Sequence, residues 1–303
     1  MHRRIAVKLL DLVTEQAARL KEAGVSFGHG TGNAFDEAAW LVLWSLGRDL
    51  DALEDHAQDE VAAAALDKAR ALVGRRIESR VPAAYLTREA WLQNVPFHVD
   101  ERTIVPRSYI AELLADGEGT GRLDAWLTDR TRRVLDLCTG NGSLAVICAM
   151  AYPEMTIDAS DVSADALAVA RRNVERHGLA GRITLIESDL YARVHGPYDL
   201  ILCNPPYVTD QSLAALPAEY RAEPRLALAG GADGMDLVRP IVAHAAAHLS
   251  PDGVLVLEVG HERASFERAF PRLEVAWLET SGGDDCVLVA TREALAALGA
   301  KPR

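Results

Sequence analysis

The chain has 303 residues, 49% hydrophobic and 25% charged, with a formal net charge of -12. That is ordinary globular composition, and the length fits two domains or one large domain with an extension. No run approaches the ~18 apolar residues of a membrane span, and so acidic a surface repels nucleic-acid phosphates while it attracts basic partners.

Met1-His2-Arg3-Arg4 is basic, but Lys8, Asp11, Glu15 and Arg19 interrupt the stretch behind it. Residues 4–24 therefore read as an amphipathic helix, with Ile5, Leu9, Leu12, Val13 and Leu20 at helical spacing, and not as a signal peptide. Gly28-His29-Gly30-Thr31-Gly32 has no strand before it and reads as a loop. Helices are predicted over Ala34–Leu46, with Asn33 as N-cap, and over Asp59–Arg80. Trp40 and Trp44, four apart on one helix, read as packing residues. Pro82 ends the helical part. Residues 84–106 then read as extended, with a β-hairpin through Ala90-Trp91-Leu92 and Phe97-His98-Val99. His98 reads as structural. Pro106 opens a further helix through Ile110 and Leu113, and Asp116–Gly121 is a charged, glycine-rich break.

After Arg133 short apolar strands alternate with helical stretches. Strands are predicted at Val134–Leu137, Thr156–Ala159, Ile183–Ile186, Leu200–Cys203 and Val254–Val259, and helices at 143–152, 163–176, 235–249 and 262–269. This is the pattern of a doubly wound α/β sheet. Leu273–Leu278 and Cys286–Ala290, joined by Ser281-Gly282-Gly283-Asp284, read as a closing antiparallel hairpin. The predicted divisions are 1–82, 83–106 and 107–303. Cys138, Cys148, Cys203 and Cys286 are widely spaced and read as core thiols of a reducing, cytoplasmic compartment. No His/Cys/Asp cluster is visible, and no metal is expected.

Val134-Leu135-Asp136-Leu137-Cys138-Thr139-Gly140-Asn141-Gly142-Ser143 is a strand, a glycine turn and a helix start, where backbone can approach a ligand closely. It lacks the third glycine of a dinucleotide fingerprint. Asp161, at the end of the next strand, is placed to accept from both ribose hydroxyls of a nucleoside, and Ser163 is the better cap for the helix behind it. Asp189, after the third strand, could accept from an adenine amine. Asp136, inside an apolar strand, is costly to bury unpaired and must bond loop amides or a ligand's ammonium. These positions describe a nucleoside carrying an amino-acid tail, and S-adenosylmethionine fits. The candidate cofactor residues are Asp136, Cys138, Thr139, Gly140, Asn141, Gly142, Asp161, Val162, Asp189, Leu190 and Asn204.

The most informative residues are Asn204-Pro205-Pro206-Tyr207, at the end of the fourth strand. Two prolines make a stiff turn with outward carbonyls, and Asn204 adds a side-chain acceptor. Such a corner suits a planar NH2 group. The Asn204 side chain and the Pro205 carbonyl each accept one hydrogen, Tyr207 covers the conjugated face, and the lone pair points at an electrophile.

The glycine turn and the Asn-Pro-Pro-Tyr corner resemble the class I S-adenosylmethionine-dependent methyltransferases that act on planar nitrogen. Within these, the chain resembles the HemK-like protein-glutamine N5-methyltransferases. Arg80–Leu86, Val105-Pro106-Arg107, Leu216–Pro224 and Gly230–Gly234 are similar to segments of that family outside the catalytic core. Gly28–Asn33, Asp36-Glu37-Ala38, Asp100-Glu101-Arg102 and Ser108 favour the branch whose substrate is a glutamine of large-subunit ribosomal protein L-three. The branch acting on release factors usually has proline where Ser108 stands. The resemblance implies a Rossmann-like seven-stranded sheet with an antiparallel last strand, joined through a connecting β-hairpin to a small N-terminal helical domain that reads the substrate. It implies Asn204, Pro205, Pro206 and Tyr207 as catalytic residues, S-adenosylhomocysteine as by-product, and a basic protein partner without direct nucleic-acid or membrane binding. Release-factor methylation and DNA adenine N6-methylation are the alternative activities the same corner could serve.

Overall fold

The computed structural model describes residues 7–114 and 123–299. Met1–Arg4, the start of the predicted 4–24 helix and the Asp116–Gly121 break lie outside them. The chain splits into two compact units, Met1–Ala90 with Pro217–Ala222, and Trp91–Leu216 with Glu223–Arg303.

The first unit contains α1 (Leu9–Glu22), α2 (Ala34–Leu46) and α3 (Ala63–Ser79). The stripe Leu9, Leu12, Val13 and Leu20 is fully buried on α1. Asn33 caps α2, its side chain accepting from the amides of Phe35 and Asp36. α3 starts later than the sequence pattern predicts, because Glu60 and Val61 pair antiparallel with Val7 and Lys8. Trp40 is buried and Trp44 exposed, so the two tryptophans do not act as one packing stripe. Arg76 has no exposed surface. It bonds Glu37 at 2.8 Å, the Ser26 carbonyl at 2.9 Å and Glu219 at 3.4 Å, which fastens the Pro217–Ala222 segment to these helices. A buried guanidinium is tolerated because its charge is paired and its donors are used.

One local expectation is overturned. Residues 83–87 are a short helix, not extended chain. Pro82 initiates it: the Pro82 carbonyl accepts from Tyr85 and Leu86 at 3.0 and 3.3 Å, and its fixed φ suits the start of a helix as well as it suits an end. The hairpin comes next as Glu89–Leu92 and Val95–His98. Its two turn residues, Gln93 and Asn94, have φ of 49° and 60°, the left-handed backbone that a tight two-residue hairpin demands.

The second unit is built on seven strands: β1 (Arg133–Leu137), β2 (Thr156–Asp161), β3 (Ile183–Glu187), β4 (Tyr198–Cys203), β5 (Leu249–Glu258), β6 (Ala276–Thr280) and β7 (Gly283–Thr291). Their order is β3-β2-β1-β4-β5-β7-β6. The first five run parallel, and β7 lies antiparallel to both β5 and β6. The order reverses at β1, so the carboxyl ends of β1 and β4 flank the switch point where such sheets bind ligands. Successive residues feed two separate cores. Val134, Leu200, Leu202, Val254 and Val256 pack on one face, while Leu135, Leu137, Ile201, Leu255 and Leu257 pack on the other. The helix predicted from Pro106 begins only at Ile110 and runs to Leu114, which leaves the Arg107 carbonyl outside it.

Candidate active site

The carboxyl ends of β1 to β4 surround a cavity of about 270 Å³. Its floor is the turn after β1. Cys138 and Gly140 adopt φ of 63° and 56°, and the turn opens onto the helix Ser143–Ala151. A side chain other than glycine is strained at such φ, and Cys138 bears that strain where it faces the cavity.

Asp161 ties the turn to β2. One carboxylate oxygen accepts from the Gly140 amide at 2.9 Å and the other from the Ser163 amide at 2.9 Å. Ser163 caps the helix Ala164–Arg176 through Ala166, as the sequence predicts. Burial pushes the Asp161 carboxyl up, against the pull of those amides. Asp136 lies beneath the turn with no exposed surface. Its Oδ2 accepts from the Thr139 hydroxyl and the Ala145 amide, and its Oδ1 has no partner among the described residues. Burial outweighs those bonds and pushes its carboxyl up to about 7. Asn141 Nδ2 and Ser160 Oγ are likewise buried without partners among the described residues.

Of the predicted cofactor residues, Cys138, Gly140, Asp161, Val162, Asp189, Leu190 and Asn204 line the cavity. Asp136, Thr139, Asn141 and Gly142 build the turn without lining it. Gly142 packs so tightly that an added Cβ would meet Ala170 at 3.1 Å. Val162 and Leu226 are among the exposed large hydrophobic residues, and both line the cavity. Ile104 and Leu226 carry no sequence signal, since nothing local marks a single aliphatic side chain outside the main strands and helices as cavity-lining.

The Asn-Pro-Pro-Tyr corner closes one side. Asn204 and Pro206 line the cavity. Asn204 Nδ2 donates to the Arg107 carbonyl at 3.3 Å, which leaves Oδ1 as the free end among the described residues. Arg107 is itself clamped, its two terminal nitrogens each 2.6 Å from a Glu223 oxygen, and Glu223 also accepts from the Val105 amide. No described residue donates to the Pro205 carbonyl. The Tyr207 hydroxyl donates to Glu258 at 3.1 Å. Glu258, at the end of β5, is buried and also accepts from Ser108 Oγ at 2.6 Å and the Tyr109 amide at 2.9 Å. Burial pushes it up to about 7, against those donors. The sequence reading missed Glu258, although an acid inside an apolar strand is the same signal that marked Asp136.

His98 lies off the cavity. Its amide and carbonyl both bond Asn173, which fixes the second hairpin strand to the helix Ala164–Arg176. One cluster differs from the sequence reading. His261, Asp285 and Cys286 bring donor atoms within 4.8 Å of one another. His261 is distant in sequence from the other two, and the turn after β5 and the start of β7 carry them together. The other cysteines form no such cluster among the described residues: Cys148 and Cys203 are buried, and Cys138 is half-buried at the cavity.

Residues 118–219 match the methyltransferase small domain family. Three curated proteins, each called ribosomal protein uL3 glutamine methyltransferase, are similar over nearly the whole chain. That of Bordetella pertussis is 52% identical, covering 95% of this chain and 96% of the relative. That of Burkholderia pseudomallei is 50% identical, covering 92% of each. That of Neisseria gonorrhoeae is 49% identical, covering 94% of each.

Proposed function

The chain belongs to the ribosomal protein uL3 glutamine methyltransferases, and we propose that it moves a methyl group from S-adenosylmethionine to the N5 side-chain amide nitrogen of a glutamine in uL3, the large-subunit ribosomal protein L-three. The observation that carries the chemistry is the orientation of Asn204, whose amide is held by the Arg107 carbonyl so that an acceptor remains beside the cavity.

The residues around the cavity fit the cofactor. Each Asp161 oxygen takes one amide and keeps a lone pair for a ribose hydroxyl. Asp189, Val162 and Leu226 line the same cavity, the first offering an acceptor for an adenine amine and the other two apolar surface for a flat ring. Ser160 Oγ is a buried polar atom at the cavity wall still lacking a partner among the described residues. The Asp136 carboxyl beneath the turn favours a cationic tail. When bound, S-adenosylmethionine supplies an electrophilic methyl group on a sulfonium.

The protein's task is to make an amide nitrogen react. Its lone pair is delocalised, on the scale of the ~18–20 kcal/mol barrier to amide rotation. Attack withdraws that delocalisation and builds positive charge on nitrogen. Asn204 Oδ1 and the Pro205 carbonyl accept the two NH2 hydrogens and stabilise that charge, and Tyr207 fixes the amide plane. A preorganised partner of this kind is worth ~2.7–4 kcal/mol of barrier. The surplus proton leaves to water.

Residues 1–82 read the substrate, 83–106 link, and 107–303 carry the transfer. The net charge of -12 suits a basic ribosomal protein partner. No described helix is long and apolar enough to cross a membrane, and the proposed ribosomal substrate would be met in the cytoplasm. The test is tritium transfer from labelled S-adenosylmethionine to purified uL3, a release factor and DNA, with mass spectrometry of ribosomal proteins with and without the gene. Label on a uL3 glutamine is expected; label on the release factor or on adenine instead would overturn the assignment.

A further inference from the structure

Tyr207 is held by one buried carboxylate, and that carboxylate divides its work. Glu258 Oε2 takes the bonds from the entry to the helix Ile110–Leu114: the Ser108 hydroxyl at 2.6 Å, the Tyr109 amide at 2.9 Å and a long contact from the amide of the helix's first residue, Ile110, at 3.5 Å. Oε1 takes the Tyr207 hydroxyl at 3.1 Å. The same segment also sets the other end of the corner, because the carbonyl of Arg107 receives Asn204 Nδ2. Three consecutive residues, Arg107, Ser108 and Tyr109, thus fix both functional side chains, one directly and one through Glu258.

We propose that Glu258 is a positioning residue for methyl transfer: its Oε1 holds the Tyr207 ring in register with the Asn204 acceptor, while Ser108 and the Tyr109 amide hold the carboxylate itself. The inference rests on the reading of Asn204–Tyr207 as the cradle for the substrate amide. The ring edge lies close to Gly260, where an added Cβ would stand 2.5 Å from Tyr207 Cε2. The charge-assisted bond holds the phenol oxygen, which lies on the ring's long axis, and so fixes where that axis stands beside Asn204.

The ionised form of Glu258 is the competent one, because a carboxylate offers both oxygens as charged acceptors to Ser108, Tyr109 and Tyr207, whereas protonation turns one oxygen into a donor. The groups that face it are Tyr207 and Tyr109 from the flanking loops, Cys203 from β4 and Cys286 from β7. All four titrate above their ordinary values and are neutral near pH 7. Arg107, the cation acting on Tyr207, is engaged by Glu223. Protonating Glu258 therefore removes the negative charge that holds the Tyr207 hydroxyl, and the rate falls on the acid side.

The experiment is a double-mutant cycle on the full chain with uL3 as substrate. Glu258→Gln is expected to lower kcat about tenfold with the dissociation constant of S-adenosylhomocysteine unchanged, and to add less than about twofold in a Tyr207→Phe background. It also removes the acid limb of the kcat profile. Unchanged kcat, or a loss fully additive with Tyr207→Phe, overturns the proposal in favour of a merely structural carboxylate. Should Glu258→Gln not fold, Ser108→Ala decides. Loss of that donor disfavours the carboxylate, so the acid limb must move to higher pH; an unmoved limb overturns the proposal. Asn204→Ala in the same assay separates the two levels. If it retains the full rate, the cradle reading fails; if it is inactive while Glu258→Gln is fully active, only the role of Glu258 fails.

Discussion

Asn204 and Arg107 stand 97 residues apart in the chain, yet the side-chain NH2 of the first is bonded to the carbonyl of the second at 3.3 Å. That bond decides which end of the Asn204 amide is offered to a ligand. With Nδ2 engaged by backbone, Oδ1 becomes an acceptor fixed before substrate arrives. The carbonyl is itself fixed, because the Arg107 side chain and the Val105 amide both bond Glu223. Preorganisation here runs from an ion pair through a backbone carbonyl to a side-chain oxygen beside the cavity.

Asn204→Ala is accordingly expected to reduce methyl transfer about a hundredfold or more, in line with the ~2.7–4 kcal/mol typical of one preorganised partner. The affinity for S-adenosylhomocysteine, followed by calorimetry, should stay within a few-fold. A collapse of affinity together with rate would show that Asn204 holds the cofactor and not the substrate amide.

Arg107→Lys tests the link behind it. Lysine cannot reproduce the two-pronged bond to Glu223, so the carbonyl at position 107 loses its clamp while the charge remains. The expected result is a loss in kcat of about tenfold, smaller than that of Asn204→Ala, with cofactor affinity intact. Equal activity of Arg107→Lys and wild type would mean that the carbonyl holds its place without the ion pair.

Asp161→Ala should act on binding first. Its two oxygens hold the Gly140 and Ser163 amides, and the residue lines the cavity. Removing them frees the glycine turn and deletes the proposed ribose acceptors at once, so the cofactor dissociation constant is expected to rise about tenfold or more, as for loss of charged hydrogen bonds worth ~1.5–3 kcal/mol each. An unchanged dissociation constant by calorimetry would reject the ribose assignment.

Much of this site is legible in the sequence. Apolar runs such as Val134–Leu137 and Leu200–Cys203 place the strands, because a strand buried on both faces needs apolar residues at nearly every position. The corner Asn204–Tyr207 is legible because two prolines leave the backbone few choices. The hidden part lies in pairings across long separations. Tyr207 and Glu258 are 51 residues apart, and no local pattern states that Glu258 will face a tyrosine rather than a lysine. The Ala83–Thr87 helix is hidden for another reason: proline is as good at a helix start as past its end, and only the bonds to the Pro82 carbonyl decide.

Two buried acids give the apoprotein a measurable pH signature. Asp136 and Glu258 both titrate near 7 when folded, pushed up by burial, and near ~4 when unfolded. The folded state therefore binds protons more tightly between those values. Their contribution to stability is complete below the unfolded range and is lost as pH rises through about 7. His248, lowered by burial, acts in the opposite sense, so the comparison must be between variant and wild type. Asp136→Asn should lose less melting temperature than wild type between about pH 5 and about pH 8. Parallel curves would mean that Asp136 is ionised throughout.

Gly260→Ala tests whether the Tyr207 ring needs its present position. Gly260 has φ of 54°, and a Cβ there would stand 2.5 Å from Tyr207 Cε2. Neither party can yield easily: the glycine lies just past the end of β5, and the ring is bonded to Glu258 through its hydroxyl. The ring must move, so the expected outcome is loss of most methyl transfer at unchanged cofactor affinity, with a fall in stability of about 1–3 kcal/mol, as for an overpacked core site. Chemical denaturation measures the second effect and single-turnover label transfer the first. Full transfer by a destabilised Gly260→Ala protein would show that the reaction tolerates a displaced Tyr207, and with it would go the argument that the tyrosine sets the plane of the substrate amide.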